Sequence, residues 1–318
     1  MLKEDLEKLD IENILDLINK NGAVILPNFL SHETVNLFLS DFESVNKENL
    51  NNNNSGIVFY NNQKFISQIL VHSKNLFDLL INNKVQSIFK QYLHKYTLSA
   101  TRFYLTGGGG VSMWHHDEKN SGFNHSSNSR GIIMIIYLND VLTLNDGPFQ
   151  YINQTHKLSK KLDEKYFWEE NIQLSHKNDI VTCFGKMGTI IIADSRTIHR
   201  AVPHKGNYFR KSIFSQISSL DEKTFRERIL FNPAFIGEDE IKSNVIMDFL
   251  GFGLKNTNHI FPPTDLSHVP LNKSTFKMII KWLLKAILKN IFESFPLFFK
   301  KPLRKKIKRE IDYDSQEK

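Results

Sequence analysis

His115 and Asp117, two positions apart, are followed 84 residues later by His199, and a chain that joins the three at one point has few folds open to it. In an extended segment residues i and i+2 project to the same face, so His115 and Asp117 converge while His116 turns away. A second strand must then deliver His199. That residue ends Thr189-Ile190-Ile191-Ile192-Ala193-Asp194-Ser195-Arg196-Thr197-Ile198-His199, a β-branched run that reads as a strand with the histidine near its exit. Two histidines and one carboxylate that leave neighbouring coordination positions open are the ligand set of non-haem Fe(II) oxygenases. The same set with a metal-bound water would serve a zinc-dependent hydrolase, and a His-x-Asp pair on its own can be merely hydrogen-bonded.

Pro203-His204-Lys205-Gly206-Asn207 is a turn signal, and Tyr208 to Ile217 reads as a returning strand. A hairpin centred between His204 and Lys205 pairs position 199 with Arg210. Cross-strand partners have Cβ atoms roughly 4.5–5.5 Å apart, so this register puts a guanidinium beside the second histidine. There it could clamp a carboxylate bidentately; a solvated cross-strand arginine is the alternative.

Taken together, Trp114-His115-His116-Asp117, the segment Asp146-Gly147-Pro148-Phe149-Gln150-Tyr151-Ile152-Asn153-Gln154-Thr155-His156-Lys157, and Asp194 to Arg200 with Arg210 eleven positions past the histidine resemble the phytanoyl-CoA dioxygenase (PhyH-like) family of iron(II)/2-oxoglutarate oxygenases. Gly22 to Ser31 is similar to that family's opening strand and the cap of its next helix, so the resemblance covers about residues 20 to 220. It implies a mainly β chain with flanking helices, folded as a double-stranded β-helix (jelly roll, cupin-like). It also implies Fe(II) on His115, Asp117 and His199, 2-oxoglutarate held at its distal carboxylate by Arg210, and O2 as co-substrate. Several relatives carry a hydroxyl two residues past the second histidine, where this chain has Ala201; Thr189 or Ser212 is then the expected helper of Arg210. Relatives that halogenate replace the aspartate by a small residue. Asp117 therefore implies hydroxylation or another oxidation, and the expected activity is hydroxylation of a small organic or lipid-like substrate with decarboxylation of 2-oxoglutarate to succinate. His156 is placed by the family pattern in a solvated turn outside the site.

Thr97 to Thr106 alternates as a strand, with Arg102 and Tyr104 on one face as expected contacts for co-substrate or substrate. Gly107 to Gly110 reads as a bulge or close backbone approach, since no helix with a lysine follows as a phosphate loop requires. Glu118 to Arg130 is polar and of lid-like composition, and Asn49 to Gly56 reads as a solvated loop. Met1 to Lys20 reads as one amphipathic helix stopped by Gly22 rather than a signal peptide. Ser31 reads as the cap of a helix over His32 to Val45, and helical patterns run from Gln63 to His94. Cys183 is the sole cysteine, so a disulfide within the chain is excluded and a reducing, cytoplasmic setting is expected, with the thiol as core filler.

With 41% hydrophobic residues, 318 positions suffice for one substantial core. The simplest division is an oxygenase domain over 1–272 and a basic amphipathic helix and tail over 273–318. Between Lys273 and Arg309 stand 12 Lys and Arg against Glu293, a net +11, which leaves −4 for the remainder of a chain whose total is +7. All of the net basicity therefore resides in that segment, and the catalytic region over 1–272, at −1, does not read as a nucleic-acid binder. Lysines at 273, 277, 281, 285 and 289 interrupt every apolar run well short of the ~18 residues of a membrane span. The expectation is an interfacial helix on an anionic membrane, against a terminal helix packed on the barrel or in a homodimer. A non-catalytic, membrane-associated interaction module is the remaining alternative to an enzyme.

Overall fold

Gly131-Ile132-Ile133-Met134-Ile135-Ile136-Tyr137 has no charged side chain and no polar alternation, the mark of a strand covered on both faces. A computed structural model of the chain describes residues 1–49, 57–60, 63–67, 69–106, 114–117, 130–158, 167, 169–205, 209–220 and 231–252, with single positions between 277 and 291. In it this segment is buried throughout. Ten strands are described: β1 (Ala23–Leu26), β2 (Ile57–Tyr60), β3 (Gln63–Ser67), β4 (Tyr96–Thr106), β5 (Gly131–Tyr137), β6 (Phe149–Ile152), β7 (Ile180–Cys183), β8 (Ile190–Asp194), β9 (His199–Ala201) and β10 (Arg210–Ser219). They form a seven-stranded sheet in the order β1-β8-β5-β10-β4-β3-β2 and a three-stranded sheet in the order β7-β6-β9. From β5 onward the chain passes back and forth between the sheets, which is the double-stranded β-helix expected from the resemblance.

The larger sheet buries its two faces against different partners. Ile132, Met134 and Ile136 of β5, with Ile190 and Ile192 of β8, join a core with the helices α1 (Leu2–Glu7), α2 (Ile11–Asn21), α3 (His32–Asn49), α4 (Lys74–Ile81) and α5 (Asn83–Leu93). Ile133, Ile135 and Tyr137, with Ile191 and Ala193, face the other way, toward Phe149, Tyr151 and Cys183 of the smaller sheet. Removing a buried Ile side chain from either core costs about 2–5 kcal/mol. Tyr137 also ties the sheets by hydrogen bonds: its hydroxyl donates to the Cys183 carbonyl (3.0 Å) and accepts from the Phe149 N–H (2.9 Å). Cys183 is fully buried, and burial pushes its thiol far up.

Several expectations are corrected. The N-terminal helix is two helices, because Asp10 accepts from the Asn13 N–H (3.1 Å) and caps a new start after Glu7. Gln63–Ser67 is a strand, not helix: it pairs with β4 along the edge that β10 leaves open. Ser31 does cap α3, accepting from the Thr34 N–H (3.3 Å), while buried Asp5 of α1 accepts from the Ser31 N–H (2.8 Å). That helix runs on to Asn49. The stretches at 50–56, 107–110 and 118–129, and the proposed boundary at 272, lie outside the described residues.

Candidate metal centre

Backbone pairing brings the two halves of the site together. His115 and His199 form an antiparallel bridge in which the His115 N–H donates to the His199 carbonyl (3.0 Å) and the His199 N–H donates to the His115 carbonyl (2.8 Å). One step on, the Asp117 N–H donates to the Ser195 carbonyl (3.1 Å). His115 is an isolated bridge residue and Asp117 is already helical, so the two converge without a continuous strand between them; one ligand atom from each of His115, Asp117 and His199 lies within 4.8 Å of the others.

Asp117 Oδ1 is 3.8 Å from His115 Nε2 and 3.6 Å from His199 Nε2, too long for hydrogen bonds and right for three groups around one ion. Asp117 Oδ2 is buried with no hydrogen-bond partner among the described residues, an orphaned acceptor that a cation would satisfy. His199 Nδ1 lies 2.8 Å from the Thr197 carbonyl. A carbonyl only accepts, so Nδ1 carries the proton and Nε2 presents its lone pair, as a metal-ligating histidine requires. Burial pushes the Asp117 carboxyl up, but the His199 and His115 imidazoles and the Arg102 guanidinium outweigh it and hold the group below the ordinary carboxylate value. These residues fit a divalent metal.

Cross-strand register assembles the wall beside them. Arg210 of β10 faces Thr106 of β4, Ser212 faces Tyr104, and Phe214 faces Arg102, so these six side chains share one face of the sheet. Arg102 Nη1 donates to the Tyr104 hydroxyl (2.8 Å). Arg210 is 8% exposed; it donates to the Gly147 carbonyl and to Thr106 Oγ1 (3.4 Å). Among the described residues it has no carboxylate partner, and burial lowers its affinity for the proton. A buried guanidinium without an acid is a site for an anion.

The hairpin expected to pair His199 with Arg210 does not form. His199 pairs with Tyr151 in the smaller sheet, while Arg210 belongs to the larger one. The intervening backbone is held elsewhere: the Val202 N–H donates to the Pro148 carbonyl (2.9 Å) and the Lys205 N–H to the Asn145 carbonyl (2.8 Å). Thr189 stands in the turn before β8, donating to the Lys186 carbonyl (2.7 Å) and accepting from the Asn28 N–H (3.2 Å). Ser212 is buried opposite Tyr104 and Tyr137. His156 is not solvated: it is 6% exposed, its Nε2 is 3.1 Å from the Asn19 carbonyl, and it lies under Gly22, where a Cβ would come within 2.6 Å of its ring. Sequence reasoning missed Thr106, which strand parity with Arg102 and Tyr104 marks, and buried His204, whose pKa Arg210 helps to lower after burial. It also missed Glu169, in the helix Glu169–His176, whose carboxylate accepts from Trp114 Nε1 (2.7 Å) and Arg200 Nη1 (2.6 Å).

Residues 18–212 match the family described as phytanoyl-CoA dioxygenase (PhyH), over more than half of the chain. The chain belongs to the PhyH family. Its fold is that of solved 2-oxoglutarate-dependent enzymes. HygX from Streptomyces hygroscopicus, solved with nickel and 2-oxoglutarate bound, superposes with a TM-score of 0.54 at 14% identity, covering 71% of this chain and 93% of that one. SnoK, a non-haem alpha-ketoglutarate-dependent carbocyclase from nogalamycin biosynthesis, gives 0.52 at 16% identity, covering 68% and 86%. The epimerase SnoN, in complex with Fe3+, alpha-ketoglutarate and nogalamycin RO, gives 0.53 at 14% identity, covering 78% and 93%. Among curated protein sequences none matches significantly. For this PhyH-family chain the matched span contains all three candidate metal ligands and Arg210.

Proposed function

We propose that this PhyH-family protein is an Fe(II)- and 2-oxoglutarate-dependent dioxygenase that hydroxylates a small organic or lipid-like substrate. One observation carries the reading: the His115, Asp117 and His199 cluster stands in the same barrel as a buried arginine that has no acidic partner among the described residues. A metal hydrolase has use for the first feature and none for the second. His115, Asp117 and His199 would hold the iron, and Arg210, steadied by Thr106, would hold the distal carboxylate of 2-oxoglutarate. Iron with 2-oxoglutarate supplies the oxidising chemistry, coupling O2 consumption and decarboxylation to succinate to oxidation of the substrate.

The chain's own residues orient and shield. The Thr197 carbonyl fixes the His199 tautomer, and Arg102 with Tyr104 lines the same wall for the co-substrate or substrate. Phe149, with its ring 5.2 Å from that of His199, and the apolar residues between the sheets keep the interior dry. Solved relatives of this fold include one with hygromycin B bound and one with nogalamycin RO, which supports a small-molecule substrate here. Asp117 occupies the position that halogenating relatives vacate, which supports oxygen transfer. The lone buried cysteine supports a reducing, cytoplasmic setting.

Anaerobic addition of Fe(II) and 2-oxoglutarate tests this. A weak visible charge-transfer absorption is expected, lost in His115→Ala, Asp117→Ala and His199→Ala, followed on aeration by succinate formation that rises with the true substrate across a panel. Parental absorption in any of the three variants would overturn the ligand assignment.

A further inference from the structure

Among the described residues near the C-terminus, six large apolar side chains are exposed. Ile280, Leu283, Leu284, Ile287, Leu288 and Ile291 are helical and between 41% and 65% exposed. Their spacing of i, i+3, i+4, i+7, i+8 and i+11 gathers them on an arc of about 140° at 100° per residue. Lys277 and Lys281, also helical and exposed, stand at the start of this stripe and along its edge. An uncovered stripe of this kind is unstable in water and marks a binding surface.

Charge decides between occupants. The segment from Lys273 to Arg309 carries +11, so a second copy seated on it would bring like charge against like charge, and a basic partner is excluded on the same ground. All six side chains are exposed in the structure. Among the described residues no helix is long and apolar enough to cross a membrane. We infer that this face docks on an anionic lipid bilayer, with the leucine and isoleucine stripe in the acyl boundary and the lysines among the phosphate headgroups. The inference is independent of the chemistry proposed at the iron site.

The full-length protein tests it by co-sedimentation with phosphatidylcholine vesicles that do or do not contain phosphatidylserine. Binding to the anionic vesicles is expected, weakened by salt through screening, with little binding to phosphatidylcholine alone. Leu284→Glu/Leu288→Glu and, separately, Lys277→Glu/Lys281→Glu are each expected to lower the partition coefficient by about tenfold or more. Thermal midpoints and 2-oxoglutarate turnover should stay parental, because these four side chains are exposed and far along the chain from the metal ligands. Absence of binding to anionic vesicles, or parental binding by either variant, overturns the inference. So does a salt-resistant dimer of the parent that Leu284→Glu/Leu288→Glu converts to monomer without any vesicle binding, which would make the stripe a self-association face.

Discussion

The Arg200 guanidinium lies over the Trp114 indole, 4.3 Å from the ring centroid, and both side chains end on the same Glu169 oxygen. Trp114 precedes His115 and Arg200 follows His199, so one carboxylate from the helix Glu169–His176 clasps the neighbours of both histidines. Gln150 Oε1 accepts from Arg200 Nε (2.9 Å) and extends the clasp into β6. Trp114, Phe167, Ile172 and Ile198 form a small apolar cluster beneath it. Glu169 is therefore expected to position both histidines of the candidate metal centre.

Glu169→Ala is expected to weaken Fe(II) affinity about tenfold, the lower end of what loss of an outer-shell partner does. Glu169→Gln, which keeps an acceptor for Trp114 Nε1, should recover part of that loss. Titration of the charge-transfer absorption with Fe(II), beside a thermal melt, separates the two effects. A melt that shifts while the iron titration stays parental would reduce Glu169 to a stabilising residue.

Arg210→Ala should leave iron binding intact and weaken 2-oxoglutarate binding by about one to two decades, the equivalent of a charge-assisted pair worth about 1.5–3 kcal/mol. Thr106→Val, which removes one hydroxyl from the same guanidinium, should weaken it less. The 2-oxoglutarate dissociation constant measured at saturating Fe(II) checks both. An unchanged constant in Arg210→Ala takes Arg210 out of the co-substrate site.

Tyr137→Phe removes the hydroxyl that bridges Cys183 of β7 and Phe149 of β6. The Phe149 N–H then loses its partner in the core, and the loss in unfolding free energy should be about 1–3 kcal/mol. Urea denaturation at constant m-value measures it. A loss well under 1 kcal/mol would show that the two sheets hold together by apolar contact alone.

His156 supplies a pH dependence whose sign follows from its surroundings. Burial lowers its pKa below the ordinary histidine value, against the weaker raising effect of its bond to the Asn19 carbonyl. The folded state holds the ring neutral, so the unfolded chain takes up the proton first. Stability is complete above about pH 6.5 and is lost as pH falls below it. His156→Gln should therefore shrink the difference in urea midpoint between neutral pH and about pH 5.5. An undiminished difference would assign the acid sensitivity to other groups.

Local rules reach the ligands and stop short of the frame. The His115-x-Asp117 spacing, the β-branched strand before His199 and the buried run at Gly131 to Tyr137 are legible because strand parity and ligand chemistry act over two to ten residues. Which sheet each strand joins is decided by pairing between distant segments. The turn at Pro203 to Asn207 reads as a hairpin in sequence, yet residues 145–148 take the Val202 and Lys205 hydrogen bonds and send His199 and Arg210 to opposite sheets. Gln63 to Ser67 carries a helical pattern and becomes a strand because β4 has an open edge. The burial of His156, the isolation of Arg210 from any acid among the described residues, and the meeting of Trp114, Glu169 and Arg200 depend on contacts 31 to 137 residues apart along the chain. The sequence alone thus determined the candidate ligand set; the tertiary structure alone decided which side chains surround it, because burial and partner choice are properties of the packed whole.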